Sequence, residues 1–131
     1  TGLVQAYAYD ASQSVQDITG GSVQQVDLSK PDLSIGRSFD WIMCLDVLSR
    51  IPDGKVTSLL RNIGRHVLKG GLILSWGRAV IGGSSTMSEQ DIISLVEKET
   101  GLRHDGETSG KLRAGCDMLD LKTGSMVFRV A

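Results

Sequence analysis

FDWIMCLDVLSRIPDGKVTSLLRNIGRHVLKGGLILSW, residues 39–76, is the stretch whose pattern decides the fold. Its first seven residues, FDWIMCL, carry apolar side chains on both faces. That pattern marks a central strand of a parallel sheet rather than a strand with one wet side. Asp46 follows where the strand meets its loop. Asp53, after Pro52, can cap a helix. Val56, Leu59, Leu60, Ile63 and Val67 then recur at the spacing of one helix face, with Arg61, Asn62, Arg65 and His66 on the other. Gly70 or Gly71 is expected to end that helix in a left-handed turn. LILSW, ending at Trp76, reads as the next buried strand. The whole is a β-α-β unit, and in open parallel sheets ligands bind beyond the carboxyl ends of the strands.

The same alternation continues on both sides. Residues 3–9, LVQAYAY, read as a strand ending at Asp10. A short helix or turn follows over residues 12–19, stopped by Gly20 and Gly21. Residues 22–26 read as a short strand ending at Asp27, and residues 30–37, with Pro31 and Gly36, as a loop. After a flexible loop over residues 77–87, Ser88 opens a helix with Asp91 at capping-box spacing. Ile92, Leu95 and Val96 form its inner face and Gly101 its end. Residues 102–105 read as a short strand, 107–116 as a short helix and 125–130, SMVFRV, as a final strand. Strands alternating with helices predict an α/β, Rossmann-like, mostly parallel sheet with helices on both faces. One of the two short strands near the C-terminus is expected to run antiparallel at the sheet edge.

The chain has 131 residues, 40% hydrophobic and 22% charged, with a net charge of -1. This is the composition of one globular domain. It lacks the basic excess that draws proteins to nucleic acids or anionic membranes. No apolar run approaches the roughly 20 residues of a membrane span. No basic-then-apolar leader is visible, so a cytoplasmic, reducing setting is the default expectation. Cys44 and Cys116 have no metal-site spacing, so no metal is expected. Cys44 is expected to be a small buried hydrophobe. Trp41 is expected in the core, and His66 and His104 in surface or packing roles.

Asp10, Asp27 and Asp46 each follow an expected strand, which in a parallel sheet places all three on one rim. There a carboxylate can accept hydrogen bonds from ribose hydroxyls or an exocyclic amine. Asp is also common in turns and caps, but three in order favour a ligand.

These residues carry a family resemblance. YAYDAS, VQQVDLS, FDWIMCLDVLSRIP and LLRNIGRHVLKGGLILSW, in that order, resemble successive motifs of the class I S-adenosylmethionine-dependent methyltransferases. The resemblance spans nearly the whole chain and includes the final MVFR. It implies S-adenosylmethionine as cofactor, with Asp10 and its neighbour Ala11 at the ribose. It places Asp27 at the adenine amine with Leu28 beside it, and Leu45 and Asp46 beneath the sulfonium. Trp76 and Arg78 would meet a small-molecule or protein substrate.

The departures are equally specific. The family's first strand and its GxGxG loop precede the stretch matched by YAYDAS, and nothing in these 131 residues supplies them. No glycine pair here opens a helix after a strand. That strand would lie between the strands of residues 3–9 and 39–45, so a gap in the sheet is expected, in a single domain truncated at its N-terminus. Exposed strand edges there predict self-association. Ser49-Arg50 stand where the family has Glu-His, and Thr86-Met87-Ser88 where it has His-Val-Asn. The alternative expectation is therefore a degenerate, non-catalytic methyltransferase-like domain acting in binding or assembly.

Overall fold

A computed structural model describes residues 5–45, 47–48, 51–75, 88–115 and 125–131. Among the described residues, six strands and four helices follow one another in the order β1 (Ala8–Asp10), α1 (Val15–Ile18), β2 (Val23–Gln25), β3 (Phe39–Leu45), α2 (Asp53–His66), β4 (Val67–Ser75), α3 (Glu89–Thr100), β5 (Arg103–His104), α4 (Gly106–Ala114) and β6 (Ser125–Arg129).

The strands form two sheets. β1 and β2 pair in parallel as a ribbon of their own, with Asp10 opposite Gln25. The larger sheet has the order β3-β4-β6-β5. β3 and β4 are parallel, while β6 runs antiparallel to both of its neighbours. Among the described residues, β1 and β3 end their respective sheets and do not pair with each other, which is the expected gap.

One hydrophobic core organises the larger sheet. Leu72 and Leu74 of β4 and Met126 and Phe128 of β6 face Leu59, Leu60 and Ile63 of α2 and Ile92 and Val96 of α3. Side chains alternate across a strand. Val127 is buried too but lies outside this cluster, consistent with α4 packing over β6 on the opposite face. Val127 N–H donates to Ser109 Oγ of α4 at 2.8 Å, joining that helix to the sheet.

Several local expectations hold. Ser88 caps α3 by accepting from the Asp91 amide at 3.1 Å, and Gly101 ends it at φ 75°. Other expectations are corrected. The first strand is only Ala8–Asp10, not residues 3–9; its first two expected residues lie outside the described ones.

Helix α2 has no glycine stop. It ends at His66 and passes straight into β4, which contains Gly70 and Gly71. Those glycines answer to close approach instead. A Cβ on Gly71 would overlap the Phe128 carbonyl, and one on Gly70 the Trp41 indole.

Trp41 is not core. It is 42% exposed, with Met43 at 64% and Leu45 at 36% on the same face of β3. The apolar pattern suits a central strand, but β3 here is an edge, so that face is only partly covered. Trp41 lies across Gly70 with Arg129 stacked 5.2 Å from its ring centroid. Asn62 and His66, assigned by spacing to the polar face of α2, are 3% and 8% exposed. A loop covers them, as described next.

Candidate functional site

The two carboxylates expected at the nucleoside end of a ligand sit at the same end of the small ribbon. Asp10 closes β1, and Asp27 follows β2 by two residues. Because β1 and β2 are parallel, both chains leave the ribbon on one rim. The Val26 amide donates to the Asp10 carbonyl at 2.8 Å, fastening the second exit to the first. Ala11 follows Asp10 and is exposed.

Each carboxylate is held by the backbone just beyond it. Ser12 N–H donates to Asp10 Oδ1 at 2.8 Å. Asp27 Oδ1 accepts from Ser29 N–H at 3.1 Å and from Ser29 Oγ at 2.7 Å. These are turns in which an Asp side chain bonds the amide two residues on. The Ser29 bonds, hydroxyl first, hold the Asp27 carboxyl below its ordinary range, so near neutrality it is an acceptor only.

After Asp27 the chain is clamped to α2 of the larger sheet. Asn62 Nδ2 donates to the Leu28 carbonyl at 2.7 Å and to the Lys30 carbonyl at 2.8 Å. Arg65 donates to the Leu33 carbonyl at 3.2 Å and to the Asn62 side-chain oxygen. His66 Nδ1 lies 2.6 Å from the Asn62 carbonyl, and His66 Nε2 accepts from the Ile35 amide at 3.1 Å. A carbonyl only accepts, so Nδ1 is the donor in that bond. Leu28, expected beside the adenine, therefore has its carbonyl committed to α2 and its side chain packed on the core. This clamp fixes the Asp27 turn relative to the main sheet. Spacing alone missed it; a buried-capable Asn and His at i and i+4 were the available signal.

Between ribbon and sheet lies a cleft of about 530 Å³. Its walls are Tyr7 and Tyr9 on one side and Phe39, Ile42 and Cys44 of β3 on another, with Leu59 and Ile63 of α2 beneath. Tyr7 and Tyr9 each meet Phe39, at 5.9 and 6.2 Å between ring centroids. Burial pushes the Cys44 thiol up to about 12, so Cys44 behaves as the expected inert hydrophobe.

Leu45 ends β3 opposite Ser75 of β4. Asp46, Ser49, Arg50, Trp76, Arg78, Thr86, Met87 and Cys116 lie outside the described residues. His104 packs on Phe128, with ring centroids 5.3 Å apart, and lies 3.3 Å from Ser109 Oγ. That serine also donates to the Asp105 carbonyl and is buried, so the pair is structural. Among the described residues no group of three His, Cys, Asp or Glu side chains could hold a metal, and no helix is long and apolar enough to cross a membrane.

No family model matches the chain, and no curated protein matches it by sequence. Solved structures do match. Magnesium protoporphyrin IX methyltransferase (ChlM) from Synechocystis PCC 6803 with bound SAM aligns over 95% of this chain and 59% of its own, at 18% identity and a TM-score of 0.53. The N-methyltransferase NodS from Bradyrhizobium japonicum WM9 aligns over 93% of this chain and 71% of its own, at 15% identity and a TM-score of 0.57. A protein described as a pericyclic reaction enzyme aligns over 98% of this chain and 37% of its own, at 12% identity and a TM-score of 0.61. The likeness shows the fold: this chain has the class I methyltransferase fold and spans about three fifths of the length of the Synechocystis enzyme.

Proposed function

We propose that the chain is part of an S-adenosylmethionine-dependent methyltransferase, with the cofactor's nucleoside half on the rim formed by Asp10 and Asp27. One observation carries the reading: two carboxylates leave adjacent parallel strands on one rim, in a fold whose solved examples include methyltransferases. Fold alone does not fix chemistry, so the argument rests on the donor set.

The residues fit the nucleoside half. Asp10, through its carboxylate, accepts from ribose hydroxyls, with Ala11 beside it. Asp27, kept ionised by Ser29, accepts from the adenine amine, and Leu28 supports it from the core side. By the family resemblance, Leu45 and Asp46 would serve the sulfur end; Asp46 lies outside the described residues. Trp76 and Arg78, outside the described residues, follow β4 in sequence and are the resemblance's candidates to meet the acceptor, a small molecule or a protein. The cofactor supplies a methyl group bound to a positively charged sulfur. The protein's task is to hold an acceptor lone pair in line with that carbon–sulfur bond and to keep water away, a contribution of proximity rather than acid-base chemistry. The changed residues at Ser49-Arg50 and Thr86-Met87-Ser88 remove side chains the family has there, so no general base is assigned.

The rival reading is a binding or assembly module on the same fold. Ser49-Arg50 and Thr86-Met87-Ser88, which differ from the family's residues at those positions, favour it.

Amide spectra during a titration with S-adenosylhomocysteine separate the two. The methyltransferase reading expects the largest shifts at the Ser12 and Ser29 amides, which bond the two carboxylates. A saturating titration that leaves both unmoved rejects it.

A further inference from the structure

The two rim carboxylates are held unequally. Asp10 is bonded by one donor, the Ser12 amide. Asp27 takes two donors on the same oxygen, Ser29 N–H at 3.1 Å and Ser29 Oγ at 2.7 Å, both on Oδ1. A carboxylate oxygen offers about two lone-pair sites, so Oδ1 is filled. Among the described residues Oδ2 of Asp27 has no hydrogen-bond donor. Asp27 is exposed, whereas Ser29 is buried at 6% exposure. The serine is also held from both flanks. Asn62 Nδ2 of α2 donates to the Leu28 carbonyl before it and the Lys30 carbonyl after it. The Lys30 amide donates to the Asp27 carbonyl at 3.1 Å, closing the turn.

We propose that Ser29 is a positioning residue that makes Asp27 select an amine over a carbonyl on the base it faces. The inference rests on the methyltransferase reading, in which Asp27 accepts from the adenine amine. Asp27 supplies the charge, and Ser29 supplies the direction by leaving Oδ2 as the one open acceptor. An amine donates to that oxygen. A carbonyl in the same place sets acceptor against acceptor, although the ring nitrogen beside it then carries a hydrogen. A carboxylate free to rotate turns to that N–H and binds either base. One fixed at Oδ1 by two bonds does not turn. A site built to meet a donor rejects an analogue lacking it, because its own acceptor is left unpaired. Ser29 itself meets no ligand, since its hydroxyl proton is given to Asp27.

The test is calorimetric titration of the 131-residue chain with S-adenosylhomocysteine and with S-inosylhomocysteine, in which a ring carbonyl replaces the amine. The parent binds the adenosyl ligand about tenfold or more tightly. In Ser29→Ala the two affinities come within about threefold of each other. The ligands differ only at that edge of the base, so a general loosening of the turn weakens both and leaves their ratio unchanged. Ser29→Thr keeps the hydroxyl and keeps the parent's ratio. A Ser29→Ala chain with the parent's ratio overturns the proposal. Loss of the ratio in Ser29→Thr overturns it as well, since packing rather than the hydroxyl would then be responsible. A parent that binds both ligands equally overturns it and leaves the methyltransferase reading standing. A folded parent that binds neither ligand overturns both.

Discussion

The imidazole of His66 joins the end of α2 to Ile35, thirty-one positions earlier, by accepting the Ile35 amide at 3.1 Å while its other nitrogen bonds the Asn62 carbonyl. That relationship positions the Asp27 turn, because the same loop begins there. Replacing His66 with Ala leaves the Ile35 N–H without its acceptor, at a cost of about 1–3 kcal/mol. Urea unfolding should register the loss. A variant within about 0.5 kcal/mol of the parent, the range of an ordinary surface change, would mean the clamp is ornamental.

Gly71 and Gly110 should respond oppositely to Ala. A Cβ on Gly71 meets the Phe128 backbone, which cannot yield without distorting β6. Overpacking of this kind costs about 1–3 kcal/mol or more. Gly110 lies inside α4 with open space around it. There Ala should stabilise by about 0.5–1 kcal/mol, the ordinary helix preference. Thermal unfolding of both variants checks the pair; equal effects would contradict the packing described for β4 against β6.

Asp105 sets an acid limit. Its carboxylate accepts the Thr108 amide and hydroxyl and pairs with Arg129 at 2.6 Å, bonds that lower it from 3.8 to about 2. A group lowered on folding is protonated more readily in the unfolded chain, so its contribution is complete above pH 3.8 and is lost as pH falls toward 2. The expected outcome is a parent chain that loses stability faster than Asp105→Asn over that interval. Parallel pH profiles for the two would contradict the assignment.

Cys44 should resist modification. In a Cys116→Ser background, a thiol reagent at pH 8 should react with Cys44 only as fast as the chain opens, because burial raises the thiol to about 12. Rapid stoichiometric labelling of the folded chain would show that the cleft wall is open to solvent at that point.

The sequence was most legible where short-range chemistry decides. The β3 boundaries, the Ser88 cap and the Gly101 stop each depend on residues within a few positions, and each stands as expected. Trp41, Asn62 and His66 were misplaced because their burial is set from far along the chain. Asn62 and His66 are covered by residues 28–35, and Trp41 lies on an edge strand paired on one side only, with β4, among the described residues. Gly70 and Gly71 looked like a helix stop, yet the contacts they accommodate come from β3 and β6. For the site, the shared rim of Asp10 and Asp27 was readable from strand ends, whereas the serine turns and the α2 clamp that hold them were not.

Calorimetric titration of the folded chain with S-adenosylhomocysteine, beside Asp10→Ala, tests the central claim most directly. Micromolar binding that weakens by about tenfold or more in the variant, about 1.4 kcal/mol, is the predicted result. A folded parent that does not bind, or a variant that binds as well as the parent, would contradict a cofactor held on this rim.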